Sequence, residues 1–207
     1  MEQSKFVSKN EVAEYTKLFE DVFKTIQKQL RKNESLTFTY RLVGSAKRGL
    51  VIRHHNQGFD CDYQLFLQKN KKNRTAKEIK QIVIDAFDQH MPQHGFHKCK
   101  NKTKAITIQK KITEESKIIF SYDIVIMKNN DNTPEIIHES DPNVYVWNKV
   151  ADYKTWSADY AKIKGDMWET LRNSYYDKKI QKINGTNYLD RESFQILHEA
   201  VKETLSQ

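Results

Sequence analysis

The sequence predicts an α+β fold in which a β-sheet is flanked by helices and followed by a short C-terminal helical region. At the N-terminus, a capping-box pattern at Ser8 and Glu11 precedes apolar residues that recur at helical spacing from Val12 to Leu30. The middle of the chain concentrates β-branched and aromatic residues in separate short segments, which is typical of strands. Helical spacing returns in the last quarter of the chain.

The strands and helices are expected in a definite order along the chain. Strands are predicted at residues 36–43, 59–67, 105–109 and 117–127, with shorter extended segments at 135–138 and 144–147. Between the second and third strands, Thr75 can cap a helix that ends before Pro92.

The C-terminal part of the chain is expected to be helical. Apolar residues recur at helical spacing from Trp156 to Tyr175, and a turn follows at Asn184-Gly185. Asp190 is the expected cap of a last helix. The predicted organisation is a core of residues 1–150, which includes the N-terminal helix, with a helical region of residues 151–207 packed on it as one structural unit.

Composition is typical of a soluble protein without a flexible linker. The 207 residues include only three prolines and six glycines. No apolar run reaches the length of a membrane span, and the N-terminus lacks the apolar core of a signal peptide. We therefore expect a cytoplasmic protein without membrane contact, in which Cys61 and Cys99 are reduced.

Positive charge predicts attraction to polyanions. The formal net charge is +8, and basic clusters lie at residues 69–74 and 98–104. Triphosphates and nucleic acids both fit this charge, although solvated surface loops explain such clusters equally well.

An aspartate pair lies on one face of the strand predicted at residues 59–67. Because side chains alternate between the two faces of a strand, the apolar residues from Phe59 to Leu67 point one way and Asp60 and Asp62 point the other. Two ionised carboxylates side by side repel each other unless a cation or a shared proton lies between them. The pair indicates a magnesium site, and an ordinary solvated strand face is the open alternative.

A glycine-containing turn follows the strand at residues 36–43. A strand that breaks at Gly44-Ser45 can open into a helix or tight turn whose free backbone N–H groups face an anion. Gly44 permits close approach, the Ser45 hydroxyl adds a donor, and Lys47 and Arg48 add positive charge. These four residues are candidates for binding phosphate. The open alternative is an ordinary turn with solubilising basic residues.

A third acidic residue, Asp123, lies in the nearly continuous apolar segment 117–127. This segment predicts a central strand buried on both faces, where an isolated charge is costly. Asp123 therefore lies at an edge of the strand in a cleft, is neutralised by a partner, or is a metal ligand beside Asp60 and Asp62. The combined pattern favours the ligand.

Together, Gly44-Ser45, the basic turn ending at Gly49, Asp60-x-Asp62 and Asp123 resemble the nucleotidyltransferase superfamily with a DNA polymerase β-like palm. The chain is similar to the oligoadenylate synthase and cyclic GMP-AMP synthase branch, with its bacterial relatives, and to the minimal nucleotidyltransferases that partner helical toxins. The resemblance implies a mixed β-sheet nucleotidyltransferase palm flanked by helices.

The resemblance also implies a reaction, in which a nucleoside triphosphate donates its nucleoside monophosphate to a hydroxyl acceptor and pyrophosphate is released. Two Mg²⁺ ions, or Mn²⁺ in their place, would neutralise the triphosphate. Asp60 and Asp62 would share both ions, and Asp123 would ligate the ion that activates the acceptor hydroxyl. The triphosphate-binding residues would be Gly44, Ser45, Lys47 and Arg48.

Three classes of function remain open. The first is an active enzyme whose acceptor is a nucleotide, an oligonucleotide or an RNA end. The second is a non-catalytic nucleotide-binding or antitoxin-like module that keeps the fold and binds a protein partner. The third is a basic RNA-binding protein in which the acidic pattern is accidental. The intact set of Asp60, Asp62 and Asp123 favours the enzyme.

A second candidate metal site comprises His90, His94, His97 and Cys99. Imidazole together with thiolate suits zinc. A proline and a glycine interrupt this segment, so a regular helical pair of ligands is not expected, and neutral loop histidines are the favoured interpretation.

Overall fold

The computed structural model describes residues 4–55, 57–112, 117–130, 133–150, 154–187 and 192–207, and for residues 154–157 it describes the backbone alone. The chain divides into two compact units. The larger unit comprises Phe6–Arg53 and Gln57–Val150, and the smaller comprises Met1–Lys5, His54–Asn56 and Ala151–Gln207. That the two pack as one structural unit stays a prediction.

The larger unit combines helices with a mixed sheet, which confirms the predicted α+β fold. Its helices are α1 (Lys9–Gln29), extended by a π-helical turn at Leu30–Glu34, α2 (Gly44–Arg48) and α3 (Ala76–His90), and a 3₁₀ turn follows at Pro92–His94. The strands are β1 (Lys5–Phe6), which begins at the boundary between the units, β2 (Leu36–Val43), β3 (Ile52–Arg53), β4 (Phe59–Asn70), β5 (Lys100–Asn101), β6 (Ala105–Lys111), β7 (Ile118–Asn130), β8 (Thr133–Asp141) and β9 (Val144–Lys149).

Seven of these strands form one sheet. Five of them lie in the order β2-β4-β7-β6-β5, β8 pairs with β7, and β9 pairs with β8. Strands β4 and β7 run parallel, and the other pairs in this sheet are antiparallel. The parallel pair lies at the centre of the sheet, where it sets the positions of the acidic residues.

Both long helices of this unit begin at predicted caps. Ser8 Oγ accepts a hydrogen bond from the Glu11 N–H at 3.1 Å. Thr75 and Glu78 form a complete capping box, in which the Thr75 N–H donates to Glu78 Oε2 at 2.7 Å. Such caps satisfy N–H groups that have no partner within the helix, and each contributes about 1 kcal/mol.

Helices α1 and α3 pack on one face of the sheet through aromatic side chains. Phe19 of α1 stacks on Tyr63 of β4 with ring centroids 3.6 Å apart, and Tyr15 stacks on Phe120 of β7 at 3.8 Å. Phe87 of α3 is fully buried beside Phe19. The residues that alternate with Tyr63 and Phe120 lie on the opposite face.

Strand β7 is not buried on both faces. The prediction of a central strand buried on both faces at residues 117–127 was therefore wrong. Its alternate residues from Phe120 to Ile126 are buried, whereas the intervening residues, which include Asp123, are half-buried. The reason is that α1 and α3 contribute apolar side chains to one face only. Asp123 therefore lies on the less buried side of a central strand.

The smaller unit is helical, with α4 (Lys154–Lys162), α5 (Met167–Ile183) and α6 (Ser193–Leu205). Gly165, at a φ of +54°, lies between α4 and α5 and divides the stretch of helical spacing into two helices. Helix α5 ends at the predicted Asn184-Gly185 turn. The expected cap Asp190 lies outside the described residues, and Glu192 is the N-cap of α6. Within the described ranges, no helix has both the length and the apolar content needed to cross a bilayer.

Candidate metal and nucleotide site

The structure brings Asp60, Asp62 and Asp123 together on the less buried face of the sheet. Parallel pairing of β4 with β7 sets Asp62 directly beside Asp123, and Asp60 lies two residues earlier on the same face. One carboxylate oxygen from each residue can be chosen so that all three lie within 4.8 Å of one another. Asp60 is exposed, and the other two are half-buried. We refer to these residues as the aspartate triad.

The aspartate triad concentrates negative charge in a small volume. Two unit charges at the 4.8 Å limit repel by about 3 kcal/mol at an effective dielectric constant of about 20. A bound cation relieves this repulsion, and a set of carboxylate oxygens alone suits Mg²⁺. Among the described residues, no other group of three acidic, histidine or cysteine side chains converges in this way.

Gly44 lies directly against Asp62. Pairing of β2 with β4 sets Val43 opposite Asp62. Helix α2 starts at the next residue, Gly44, which has a φ of +66°. A Cβ added to Gly44 would lie 1.9 Å from Asp62 Oδ2. Glycine is required here both for the left-handed backbone and for the close approach. The start of α2 is thereby held beside the aspartate triad.

The other residues of this turn have different environments. Ser45 is half-buried, and its carbonyl accepts the Leu50 N–H at 3.0 Å. Arg48 Nη1 donates to the Gly44 carbonyl at 2.7 Å, so this guanidinium stabilises the turn itself. Lys47 is exposed. Sequence reasoning treated Lys47 and Arg48 alike, whereas the structure gives Arg48 a specific bond to the backbone.

Thr107 of β6 contacts the aspartate triad, although the sequence pattern did not single it out. Antiparallel pairing sets Thr107 opposite Asp123, and Thr107 Oγ1 donates to Asp123 Oδ1 at 2.5 Å. Only 7% of Thr107 is exposed, so the bond is protected from water. It restricts the rotation of the Asp123 carboxylate. A threonine within a strand carries no local signal of such a contact.

A surface pocket of about 380 Å³ opens beside Asp60 and Asp123. Ser121 and Lys117 contribute polar groups to its lining. Gly58, also in the lining, lies so close to β7 that an added Cβ would be 2.6 Å from the Ile118 carbonyl oxygen. A glycine immediately before a strand is the sequence signal that could have revealed this close approach.

The histidine and cysteine residues do not form a comparable cluster. His90 Nε2 is 2.8 Å from Gln29 Oε1, and the Cys99 thiol donates to the Ile84 carbonyl at 3.8 Å. Burial raises the pKa of Cys99, which disfavours the thiolate that zinc requires. Within the described part of the chain, the ligand atoms of His90, His94, His97 and Cys99 do not converge on one point.

Comparison with protein-family models and with curated protein sequences finds no match. Solved structures do share the fold. The cyclic AMP-GMP synthase DncV of Vibrio cholerae has a TM-score of 0.55 at 14% identity, over 84% of this chain and 62% of DncV. For CdnC of E. coli MS115-1 with ATP, the TM-score is 0.56 at 13% identity, over 94% of this chain and 59% of CdnC.

A third similar structure is the CdnE cyclic dinucleotide synthase of Elizabethkingia meningoseptica with GTP and Apcpp. Its TM-score is 0.53 at 14% identity, over 88% of this chain and 67% of CdnE. The chain thus spans 59% to 67% of the length of these three structures. At these identities the similarity establishes the fold, which is that of a nucleotidyltransferase palm. The resemblance to the cyclic GMP-AMP synthase-like enzymes is confirmed at the level of structure.

Proposed function

We propose that this protein is a metal-dependent nucleotidyltransferase that transfers a nucleoside monophosphate from a nucleoside triphosphate to a hydroxyl acceptor and releases pyrophosphate. The observation that carries the proposal is the convergence of Asp60, Asp62 and Asp123 beside the turn at Gly44. The fold adds support, because similar structures hold GTP or ATP.

The proposed roles of the aspartate triad are those that the resemblance implies, and the convergence of its three carboxylates supports them. Bound Mg²⁺ would neutralise the triphosphate and the charge that develops on the attacking and leaving oxygens. Asp60 and Asp62, two residues apart on one strand face, would share the two ions. Asp123 would hold the ion on the acceptor side and could take the proton of the acceptor hydroxyl. Thr107 keeps the Asp123 carboxylate in one orientation through its hydrogen bond.

The turn at the end of β2 is proposed to bind the β- and γ-phosphates. Gly44 permits the triphosphate to approach the backbone next to Asp62, and the Ser45 hydroxyl adds a donor. Lys47 is exposed and can reach a phosphate. Arg48 contributes positive charge, and its bond to the Gly44 carbonyl keeps the turn in shape.

The acceptor is proposed to enter the pocket beside Asp60 and Asp123, because this pocket opens directly at the carboxylates. Ser121 and Lys117 in its lining suit a polar, negatively charged molecule. The structural similarity to cyclic dinucleotide synthases favours a second nucleotide as acceptor over an RNA end.

A product analysis tests the proposed function. Each of the four labelled nucleoside triphosphates is incubated with the protein and Mg²⁺, with and without RNA, and the products are separated. We expect a new labelled product and pyrophosphate that disappear in Asp60→Ala and Asp123→Ala and persist in Asp141→Ala, an exposed acidic residue outside the site. Binding of a triphosphate without any product would instead identify a non-catalytic module.

A further inference from the structure

A second polar cavity, of about 550 Å³, lies at the other end of β4, where α1 passes the edge strand β2. Its lining includes Arg31, Ser35, Thr39, Gln68, Lys69 and Lys71. We refer to this cavity as the basic groove. All of these residues belong to the larger unit.

An irregularity in the sheet shapes the basic groove. Thr37 pairs with Lys69 and Phe38 pairs with Leu67, which leaves Gln68 as an extra residue in β4. Its amide donates to Thr39 Oγ1 at 3.3 Å and to the carbonyl of Phe66 at 3.2 Å. A bulge of this kind re-aims side chains, and bulges are enriched at sheet edges and beside functional sites.

The charge of the basic groove is of one sign. Arg31, Lys69 and Lys71 are exposed, and the lining contains no aspartate or glutamate. Within the described residues, none of the three forms an ion pair. Three cations around one cavity therefore produce a positive potential that favours an anion.

Basic residues near the end of a helix often serve only to satisfy its last carbonyl groups. Here two other residues already have that role. Lys72 Nζ donates to the Asn33 carbonyl at 3.1 Å, and Arg74 donates to the carbonyl of Glu34. The cations of the basic groove are thus not explained by the helix end.

The basic groove is also well separated from the aspartate triad. Gln68 follows Asp62 by six positions in β4, which corresponds to about 20 Å at roughly 3.3 Å per residue. A triphosphate held at the turn of Gly44 and Ser45 would not occupy both places. We propose that the basic groove binds a small polyanion bearing phosphate or carboxylate groups, as a site distinct from the aspartate triad.

The chemistry of the lining suits such a ligand. The Arg31 guanidinium can present two parallel N–H groups to a phosphate or carboxylate, while Lys69 and Lys71 supply ammonium groups. The hydroxyl groups of Ser35 and Thr39 add uncharged hydrogen-bonding groups.

Calorimetry on the full chain tests the proposal with inorganic triphosphate and with citrate, in low salt and in metal-free buffer, after a chelator has stripped any metal from the aspartate triad and has been removed by dialysis. The groove variant combines Arg31→Gln, Lys69→Gln and Lys71→Gln. The control variant combines Lys17→Gln, Lys77→Gln and Lys104→Gln, which removes the same charge at exposed positions outside the lining. A single Lys69→Glu variant provides a second, less extensive change.

We expect at least tenfold weaker binding in the groove variant, clear weakening in Lys69→Glu, and little change in the control variant or in Ser45→Ala. Preference for triphosphate or for citrate identifies the source of the anionic groups. Equal weakening in groove and control variants would overturn the proposal, since only net charge would matter. Three other results would also overturn the proposal: loss of binding in Ser45→Ala alone, absence of binding by the wild-type protein, or binding restricted to a short RNA. Each result is independent of whether the protein transfers nucleotides.

Discussion

The backbone of Gly44 contacts the carboxylate of Asp62 so closely that a Cβ on Gly44 would lie 1.9 Å from Asp62 Oδ2. The contact arises because the pairing of β2 with β4 continues as far as Val43 and Asp62, and α2 begins at the residue that follows Val43. The proposed phosphate-binding turn and a proposed metal ligand are therefore held in place by one another. A change in either one is expected to alter both.

Replacing Gly44 by alanine should strongly slow nucleotidyl transfer. The added methyl group must displace the Asp62 carboxylate or the start of α2, and the φ of +66° also strains a non-glycine residue. We expect the rate of pyrophosphate release to fall by about a hundredfold or more, which corresponds to about 3 kcal/mol of lost transition-state stabilisation.

Gly49→Ala is the matched control for this substitution. Gly49 has the same φ of +66°, but a Cβ there would meet nothing within 4 Å. Urea unfolding should show that Gly49→Ala loses about 1 kcal/mol of stability from backbone strain, and that Gly44→Ala loses at least as much because the clash with Asp62 adds to the strain. Activity should persist in Gly49→Ala. Equal loss of activity in the two variants would show that strain, and not contact with Asp62, is what matters.

Replacing Thr107 by valine removes the hydroxyl that orients Asp123 and nearly preserves the shape of the side chain. We expect the apparent Mg²⁺ affinity and the turnover rate to fall about tenfold, because a ligand that is no longer oriented binds less well. Thr107→Ser should restore most of both quantities. Thr204→Val, a buried threonine in α6, should change stability without changing Mg²⁺ affinity. Unchanged affinity in Thr107→Val would contradict a positioning role.

Replacing Gly58 by alanine should separate β4 from β7. The added Cβ would lie 2.6 Å from both the Ile118 carbonyl oxygen and the Ile119 carbonyl carbon, and backbone atoms cannot rotate out of the way. We expect a loss of about 2 kcal/mol in the free energy of unfolding, and reduced activity because Asp60 moves away from Asp123. Gly185→Ala, where no atom lies within 4 Å of the added Cβ, should lose less stability and keep its activity. Denaturant unfolding and pyrophosphate release measure the two effects.

The buried Lys80 should make stability depend on pH in the alkaline range. Its side chain is 2% exposed, donates to the Lys102 carbonyl and lies 5.1 Å from the centre of the Tyr145 ring. Burial lowers the pKa of Lys80 to about 8, compared with the ordinary value of 10.5. Between these values the unfolded chain binds more protons than the folded protein, so stability rises with pH across this window. Below pH 8 the cost of burying the charge is fully present.

Unfolding by urea at pH 7.5 and 9.5 checks this expectation. The wild-type protein should gain about 1–2 kcal/mol relative to Lys80→Met between the two pH values. Lys77→Met, an exposed lysine on the same helix, should follow the wild-type protein. A constant difference between the wild-type protein and Lys80→Met would show that Lys80 keeps an ordinary pKa.

Some members of the candidate site were predictable from local pattern. Alternation along β4 separates Asp60 and Asp62 from the buried aromatic face, and Asp123 is conspicuous as a lone acid in an apolar strand. The proximity of the three aspartates to one another cannot be read from local pattern. It depends on parallel pairing of strands that are distant in sequence, and no local pattern encodes which strands become neighbours. The combined pattern favours Asp123 as a ligand beside the pair without showing which strands are neighbours, and the resemblance to a known fold implies the shared site.

Other features depend on contacts between distant segments and were missed. Thr107 reaches Asp123 only through the register of β6 with β7, and the role of Gly58 depends on the backbone of β7. The half-buried face of β7 was missed because continuous apolar sequence does not reveal that helices cover one side only. The bulge at Gln68 also arises from pairing with another strand. Capping signals at Ser8 and Thr75 are local, and these were predicted correctly.

The most direct test of the aspartate triad is the rate of Mg²⁺-dependent pyrophosphate release in single Asp→Asn variants. Asparagine keeps the shape of the side chain and removes its charge, so a metal site loses several kcal/mol of stabilisation while the fold is retained. Asp60→Asn, Asp62→Asn and Asp123→Asn should each be about a hundredfold slower or more, and Asp141→Asn should match the wild-type rate. Wild-type turnover in any of the first three variants, or no pyrophosphate from the wild-type protein with any nucleoside triphosphate, would contradict the proposed function.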